Sequence, residues 1–369
     1  MKKILRLVFI NIAVFLAILI FLNISAILVY RGYKMVKSDF DPRINLPNYK
    51  NVSWAERHFK EFKNLPAEYR SFVGWRRLPF TGKTININDK GIRYTLQPPV
   101  ASDSLPLVVF TGGSALWGTG SDDNNTIPSL ITEISGGKLY SLNLAESGYN
   151  AFQGYLFLKL QMMTGLVPDI IVAYDGANEI DALYWSNRPL SHSRENQMIK
   201  AMEGLDRDEN LTLRHFFIDP LVFFINKLKT KFHKNTISDY VLSSERMDAV
   251  ATDFLESWKS IKDLADQNNA IFIGVLQPTI YSGNPRTDYL NVDRSLEPVY
   301  RAFYATVLKE LNEPEFRELS DCILDMEDAF DGNEYIYIDE VHVSPNGNRI
   351  AATKIYNFIL NYNRTEQTE

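Results

Sequence analysis

The sequence of 369 residues contains one cysteine and five histidines, and its acidic residues outnumber its basic ones. The single cysteine, Cys322, cannot close a disulfide within the chain and has no second cysteine spaced for zinc, which argues against thiol chemistry. The histidines show no metal-ligand spacing, so we predict neither a metal site nor a cofactor. The 45 acidic residues against 39 basic residues give a net charge of -6. That is the wrong sign for a protein that binds a nucleic acid backbone.

The sequence also lacks internal repeats and extended low-complexity segments. Hydrophobic residues make up 45% of the chain and charged residues 23%, which are ordinary proportions for a globular protein and exclude a largely disordered or fibrous one. A chain of this length fits one large α/β domain with an N-terminal appendage.

The N-terminal segment departs most from ordinary composition, because residues 7–30 carry no charge. Such a run is long enough to span a bilayer as one helix. We expect residues 1–30 to form an uncleaved signal anchor, with a cleaved signal peptide and a buried core helix as the alternatives. Basic residues flank both ends, and only the short N-terminal tail favours a cytoplasmic N-terminus. We therefore expect a single-pass protein of the cytoplasmic membrane whose main domain is extracytoplasmic, in the periplasm.

The rest of the chain divides into a lead-in, a main domain and a tail. Residues 31–104 mix aromatic and basic residues, and we interpret them as a stalk and lead-in. Residues 105–360 alternate short apolar runs with helix-period segments, which predicts a parallel sheet flanked by helices. Within them, residues 180–240 are interpreted as an insertion over the functional site or towards a partner. Residues 361–369 are interpreted as a polar tail.

Strands and helices of the main domain are predicted from these runs and from capping residues. The runs predicted as strands are residues 107–110, 139–144, 170–174, 271–276 and 335–338. Three helix starts are predicted from capping and first-turn residues, namely Thr126 with Pro128, Asn150 alone, and Ser344 with Pro345. Long helices are also predicted over residues 243–266 and 296–311.

The first apolar run of the main domain ends in Thr111-Gly112-Gly113-Ser114. Two glycines after a strand allow a tight turn that presents the serine hydroxyl at the sheet edge. Gly-Gly-Ser alone is also an ordinary turn, so a nucleophilic role for Ser114 depends on the residues at the ends of the other strands.

Polar residues come directly after three further apolar runs. The loops after the second and third runs contain Gly148 and Asn178, whose N–H groups can point into the crevice at the sheet edge. The last run leads into Asp339-Glu340-Val341-His342, where an aspartate three residues before a histidine can orient the imidazole. All four clusters fall at predicted carboxyl ends of parallel strands. Together they supply a nucleophile, a base, an orienting carboxylate and oxyanion donors, the set required for acyl transfer.

These blocks resemble those of the SGNH, or GDSL-like, hydrolase superfamily, which is named for Ser, Gly, Asn and His in four separate blocks. The resemblance covers about residues 105–360. It implies a flavodoxin-like three-layer α/β/α sandwich with a parallel sheet, here preceded by one transmembrane helix. One position departs from the pattern, since Gly113 stands where the eponymous motif has Asp. Similar membrane-anchored relatives in polysaccharide clusters often have Gly there.

The resemblance also implies a role for each matching residue. The implied catalytic residues are Ser114, Asp339 and His342. The implied oxyanion hole consists of the backbone N–H groups of Ser114 and Gly148 and the side-chain amide of Asn178.

The resemblance to membrane-anchored members implies a serine esterase or O-acyltransferase that acts on acetyl-type groups of cell-envelope carbohydrate. The expected partners are the acylated carbohydrate and the membrane, and the sequence names no protein partner. A lipase or lysophospholipase and a non-catalytic carbohydrate-binding scaffold are the alternative interpretations. Whether water or a sugar hydroxyl accepts the acyl group stays open.

Several other polar and aromatic side chains receive no catalytic role. We interpret three carboxylates as solvated or helix-capping, namely Asp175, Glu179 and Glu340. Four histidines are interpreted as surface or satisfied polar residues, namely His58, His192, His215 and His233. Three aromatic residues could stack on a sugar ring, although packing explains them equally well, namely Trp117, Tyr149 and Trp185.

Overall fold

The computed structural model of the protein describes residues 2–36, 41–100, 104–180, 190–195, 197–199, 202 and 244–366. The insertion predicted over residues 180–240 therefore lies mostly outside the described residues. The chain divides into two compact units, one of residues 1–40 and 197–236 and the other of residues 41–196 and 237–369.

In the first unit, helix α1 spans Lys2–Val36. Within the described chain, Lys2–Ser25 is the one segment long and apolar enough to cross a membrane, and its large apolar side chains are exposed. Its 24 residues form a helix about 36 Å long, which exceeds the roughly 30 Å hydrocarbon core of a bilayer. The predicted N-terminal apolar helix is thus present. By length and composition it fits a membrane span or a signal sequence.

The second unit begins with residues 41–100, which are folded. They form helix α2 (Ala55–Lys63), the hairpin of β1 (Ala67–Arg70) with β2 (Gly74–Arg77), and the hairpin of β3 (Phe80–Thr81) with β4 (Asn86–Ile87). Tyr49 and Phe59 are buried in one cluster with Ile338 from the far end of the chain. The stalk expected over residues 31–104 is therefore corrected for residues 41–100. Tyr49, Phe59 and Trp75 belong to the core of the main domain, whereas Tyr69 and Phe72 are exposed.

The rest of this unit is built on a five-stranded parallel sheet. Its strands are β5 (Leu107–Gly112), β6 (Tyr140–Asn143), β7 (Ile170–Asp175), β8 (Ile271–Leu276) and β9 (Ile323–Asp325), in the order β6-β5-β7-β8-β9. Strand β7 is buried along its whole length, as the continuous apolar run predicts. The chain passes from β5 to β6 and then back to β7 on the other side of β5. The carboxyl ends of the neighbouring strands β5 and β7 therefore mark the topological switch point, where α/β folds place their ligands.

Helices cover both faces of this sheet. They are α3 (Ser114–Trp117), α4 (Ile127–Ile134), α5 (Ala151–Met163), α6 (Ser244–Asp266), α7 (Glu297–Glu310) and α8 (Pro345–Glu366). Helix α4 packs with α8, whereas α5 and α7 both pack with α6. Right-handed crossovers put these two sets on opposite faces, because the chain reverses direction at the switch point. The predicted three-layer α/β/α sandwich with a parallel sheet is confirmed.

The predicted helix starts agree with the structure. Thr126 caps α4, and its side chain accepts a hydrogen bond from Ser129 N. Asn150 caps α5 in a capping box with Gln153. Helix α8 begins at Pro345, as predicted, but extends to Glu366. Most of the segment expected to be a polar tail is therefore helical.

The fifth strand is β9, whereas the sequence predicts it over residues 335–338. Ile336 and Ile338 are buried, but their backbone pairs within a local loop. Ile338 N donates to His342 O at 2.9 Å, and Ser344 N donates to Ile336 O at 2.8 Å. Apolar composition alone does not distinguish such a buried loop from a strand. Strand β9 gives no signal of its own, because it has three residues that are at most half-buried.

His58 links α2 to the turn after α3. Its side chain is buried, and its Nε2 lies 2.8 Å from Thr119 O. Within the described part of the chain, its Nδ1 has no hydrogen-bond partner, so His58 is neither on the surface nor fully satisfied, contrary to expectation. Burial and the nearby charge of Arg93 lower the pKa of His58 to about 3. The ring is therefore neutral, and Nε2–H donates to Thr119 O.

We expect His58→Gln to flatten the pH dependence of stability on the acid side. As the pH falls from 6.5 towards 3, the unfolded chain binds a proton at His58 that the folded chain does not. The free energy of unfolding then falls by up to about 1.4 kcal/mol per pH unit. Urea unfolding at pH 7 and pH 5 should show a smaller difference for the variant than for the unmodified protein. An equal difference would contradict the buried neutral histidine.

Candidate active site

Ser114 lies where strand β5 passes into helix α3. Gly113 is the N-cap of this helix and Ser114 its first residue, so the Ser114 N–H has no acceptor within the helix. Ser114 is partly exposed, whereas Gly113 and Ala115 are buried. The turn therefore presents a hydroxyl and a backbone N–H at the carboxyl edge of the sheet, beside the switch point.

Three side chains form one hydrogen-bonded chain at this turn. The Nε2 of His342 lies 2.7 Å from Ser114 Oγ. The Nδ1 of His342 lies 2.8 Å from both carboxylate oxygens of Asp339. Asp339 Oδ1 also accepts the backbone N–H groups of Val341 and His342, at 3.1 and 2.9 Å. The loop that carries the imidazole thus also fixes the carboxylate.

The ionisation of Asp339 decides the tautomer of His342. Burial raises the pKa of Asp339, but the charge and hydrogen bonds of His342 outweigh it and lower the pKa to about 2. An ionised carboxylate only accepts hydrogen bonds, so Nδ1 of His342 donates to it. Nε2 is then left to accept the Ser114 hydroxyl. In this arrangement an imidazole can take the proton of a serine.

Arg43 brings a positive charge from the lead-in to the same carboxylate. Its Nη1 lies 3.5 Å from Asp339 Oδ2. Its Nε and Nη2 bond to Asp41 at 3.0 and 2.8 Å, and its guanidinium lies 4.5 Å from the centre of the Phe59 ring. Sequence reasoning missed Arg43, because the contact joins residues at opposite ends of the domain.

Asn178 lies against the turn that carries Ser114. Its Nδ2 donates to Tyr149 O at 2.6 Å, and a Cβ atom placed on Gly113 would lie 2.2 Å from the same nitrogen. Gly113 has a φ of -87°, which any residue adopts, so the backbone conformation does not favour glycine here. In this structure the Asn178 amide occupies the place that a side chain at position 113 would take.

Gly148 lies in the loop after β6, one residue before Tyr149. Its φ of 82° is in the left-handed region that favours glycine. Hairpin β1–β2 fixes the loop around it. The Trp75 indole donates to Ser147 O at 2.9 Å, and the Tyr149 hydroxyl donates to Trp75 O.

A buried carboxylate strengthens this attachment of the lead-in to the Gly148 loop. Glu146 accepts the backbone N–H groups of Arg77 and Ser147, at 2.9 and 2.8 Å. Its oxygens also lie 3.9 Å from Arg76 Nε and 3.4 Å from Arg77 Nε. Two guanidinium groups of the lead-in thus share one carboxylate of the loop.

The carboxylates expected to be solvated or helix-capping behave differently from one another. Asp175 and Glu179 are both buried, whereas Glu340 is partly exposed. Glu179 does cap a helix, because it accepts Ala151 N at 2.7 Å, and it also accepts Gly176 N at 2.9 Å. Burial, followed by the charge of Glu179, raises the pKa of Asp175 well above its usual range. Glu179 therefore ties the turn that carries Asn178 to the helix after Gly148.

The structure brings the sequence-predicted site residues together at one place, and one of the predicted secondary-structure elements that carry them is different. Ser114, His342 and Asp339 are directly bonded, and Asn178 contacts the Ser114 turn and the Gly148 loop. The residues from Asp339 to His342, however, lie in a partly exposed loop and do not extend a strand of the sheet. Fold and site together define an α/β protein whose serine is placed for nucleophilic chemistry.

The aromatic and histidine predictions are corrected in part. Trp117 and Tyr149 are buried, at 0% and 1% exposure, so they are not available to stack on a sugar. His192 is partly buried and packs edge-on against Trp75. The remaining predictions of this kind, for Trp185, His215 and His233, lie outside the described residues.

No family model and no curated protein matches the chain. Solved structures that match include a carbohydrate acetylesterase family member from Sinorhizobium meliloti, with 11% identity over 69% of this chain and 97% of that chain and a TM-score of 0.39. A member of the lipolytic protein G-D-S-L family from Veillonella parvula DSM 2008 matches with 12% identity over 67% and 94%, and a TM-score of 0.36. The psychrotrophic esterase EstA from Pseudoalteromonas sp. matches with 10% identity over 70% and 98%, and a TM-score of 0.38. At such identities the likeness concerns the fold only.

Proposed function

We propose that the protein is a serine-dependent esterase or O-acyltransferase of the SGNH type. One observation carries the proposal: the hydrogen-bonded chain from Ser114 through His342 to Asp339, with 2.7 Å between Oγ and Nε2 and 2.8 Å between Nδ1 and the carboxylate. A serine beside an oriented base is the arrangement of an activated nucleophile. The exposed edge of the switch point gives an ester access to it.

In the proposed reaction, Ser114 Oγ attacks the ester carbonyl while His342 Nε2 takes the hydroxyl proton. The carbonyl oxygen becomes an oxyanion that accepts hydrogen bonds from the N–H groups of Ser114 and Gly148 and from the Asn178 amide. One N–H of that amide bonds to Tyr149 O, and the second remains for the oxyanion.

The intermediate then collapses, and His342 returns the proton to the leaving alcohol as the acyl-enzyme forms. Water or a sugar hydroxyl, deprotonated by His342, attacks the acyl group; the bond between the acyl carbon and Ser114 Oγ breaks, and His342 returns the proton to Oγ. Asp339 stays ionised throughout and stabilises the imidazolium.

We further propose acetyl-type groups on cell-envelope carbohydrate as the substrate, on the basis of the resemblance to membrane-anchored relatives. The test is hydrolysis of 4-nitrophenyl esters of increasing acyl length. Acetate should be cleaved best, and the activity should depend on Ser114. A preference for long acyl chains would favour a lipase instead. Absence of turnover on every ester would favour the non-catalytic scaffold.

We expect Gly113→Ala to lower kcat about 10²–10³-fold with little change in KM. The new methyl group would lie 2.2 Å from Asn178 Nδ2, so the amide must move away from the Ser114 turn. Loss of one oxyanion donor costs about this factor. Asn178→Ala should have a similar effect, because its amide binds the oxyanion more strongly than the ground-state ester. Steady-state kinetics with 4-nitrophenyl acetate measures both variants.

The double variant tests whether Gly113 acts through Asn178. If it does, Gly113→Ala should cost little more in the Asn178→Ala background. Independent, additive losses would contradict this route. Gly154→Ala is the matched control, because the nearest atom to a new Cβ there lies at 3.4 Å, and kcat should stay unchanged.

We also propose that the domain after Tyr30 lies outside the cytoplasmic membrane, tethered by residues 7–30. The basic N-terminus and the apolar helix Lys2–Ser25 motivate this orientation. Alkaline phosphatase fused after Glu369 should be active, and green fluorescent protein fused there should be dark. The opposite pattern would place the site in the cytoplasm.

A further inference from the structure

A second group of side chains lies beside Gly148 and has no part in the proposed reaction. The position where a Cβ would stand on Gly148 is 3.3 Å from both Trp75 Cζ2 and Ser193 Oγ. Ser193 Oγ also donates to Gly148 O at 3.4 Å. The short described segment 190–195 is thus in direct contact with the glycine of the proposed oxyanion hole.

Arg194, the next residue, lies on the face of the Trp75 indole. The centre of its guanidinium is 4.4 Å from the ring centroid, and the residue is partly exposed. Trp75 itself is only 4% exposed. It is fixed by its hydrogen bond to Ser147 O and by edge contacts with Tyr149 and His192. Arg194 therefore lies on a rigid platform that is part of the wall of the site.

Among the described residues, no carboxylate lies within ion-pair distance of the Arg194 guanidinium. Within the described part of the chain, this guanidinium contacts the Trp75 ring and forms no ion pair, and the backbone N–H of Arg194 donates to His192 Nδ1. The nearest acid in sequence, Glu195, accepts a hydrogen bond from Ser191. Arg194 is also close enough to Arg77 for its charge to lower the pKa of the Arg77 guanidinium, after the larger effects of burial and Glu146.

We propose that Arg194, stacked on Trp75 beside Gly148, binds an anionic group of the substrate, a carboxylate or phosphate borne by the carbohydrate part of the ester. This inference rests on the proposed function, because it assumes that the ester carbonyl lies at Gly148. A planar guanidinium on an aromatic face is pre-organised for two parallel hydrogen bonds to such a group. An anion there would also relieve the repulsion between Arg194 and Arg77. The substrate class is therefore an acylated acidic glycan rather than a neutral one.

The experiment measures binding, which does not require turnover. The full chain in detergent is titrated with trigalacturonate, with its neutral methyl ester and with glucose 1-phosphate, and tryptophan fluorescence is recorded. An anion should bind at least about tenfold more tightly than the neutral ester, the factor expected of one charge-assisted hydrogen-bonded contact. Tighter binding of trigalacturonate would identify a carboxylate, and tighter binding of the sugar phosphate would identify a phosphate.

Variants assign the preference to Arg194. Arg194→Gln should abolish it, and Arg194→Lys should keep part of it, because charge remains while the planar group is lost. Arg349→Gln is the matched control, since Arg349 is an exposed arginine paired with Glu133 on α4, and the preference should persist. Equal binding of charged and neutral ligands, or an unchanged preference in Arg194→Gln, would overturn the proposal.

Hydrolysis of 4-nitrophenyl acetate by the unmodified protein tests the proposed function separately. Ser114-dependent hydrolysis without anion preference would keep the esterase and discard the subsite. Anion preference without hydrolysis would keep the subsite and discard the esterase.

Discussion

Ser114→Ala should lower esterase turnover by at least about 10⁴-fold while the fold stays intact. The hydroxyl is at the partly exposed edge of the sheet, and its one hydrogen bond to His342 contributes little to packing. As the nucleophile, however, it forms the bond on which the whole reaction depends. Initial rates with 4-nitrophenyl acetate measure the loss, and circular dichroism with thermal unfolding checks the fold.

The His342→Ala variant and the double variant show whether Ser114 and His342 act as one catalytic unit or contribute independently to turnover. His342→Ala should be about as damaging as Ser114→Ala, and the double variant should be little worse than either, because the two residues act in the same step. Losses that multiply in the double variant would mean that Ser114 and His342 have separate roles. Substantial activity in Ser114→Ala would exclude it as the nucleophile.

Arg93→Met should destabilise the protein by about 3–5 kcal/mol, the cost of breaking a buried ion pair from one side. Arg93 is 1% exposed and bonds to Asp123 at 3.0 Å. It also donates to three carbonyl groups around the end of α3, at 2.7–2.8 Å, namely Trp117 O, Gly118 O and Ser121 O. Without it, the buried Asp123 carboxylate loses its charged partner, and each of the three carbonyl groups loses a hydrogen bond. The helix that begins at Ser114 then loses its support, so turnover should fall as well.

The pH dependence of the stability loss in Arg93→Met tests the ion pair between Arg93 and Asp123 more directly. Burial raises the pKa of Asp123 above its usual value, and Arg93 opposes the rise. Without Arg93, the ionised carboxylate is disfavoured further, so the destabilisation should be larger at pH 7 than at pH 4, where Asp123 is more often protonated. Arg349→Met is the control: its ion pair with Glu133 is about half exposed, and the loss should stay below about 1 kcal/mol. Equal losses in the two variants would contradict a structural role for Arg93.

The sheet and the polar blocks could be predicted from the sequence, because both depend on local patterns. Strand β7 is buried throughout and therefore has a continuous apolar run, and Asn150 precedes a helix that it caps. Strand β9 could not be predicted, since two partly buried residues and one exposed residue carry no pattern. The prediction of a strand over residues 335–338 was wrong for the opposite reason: residues 336–338 are buried, but their backbone hydrogen bonds are local.

The contribution of the lead-in could not be predicted, because it consists of contacts between residues far apart in the chain. Trp75 bonds to Ser147, Arg43 approaches Asp339, and Arg93 supports the end of α3. Each of these residues lies in a segment whose composition resembles a surface linker. Only the folded chain shows that these arginines and aromatic residues surround the proposed catalytic residues.

The most direct measurement of the central claim is labelling with a fluorophosphonate probe, combined with identification of the modified peptide. This reagent reacts with a serine hydroxyl whose proton a neighbouring base can take. We expect a single labelled site at Ser114, with labelling lost in Ser114→Ala and strongly slowed in His342→Ala. Labelling at another serine, or equal labelling of His342→Ala and the unmodified protein, would contradict the assignment of Ser114 and His342 as nucleophile and base.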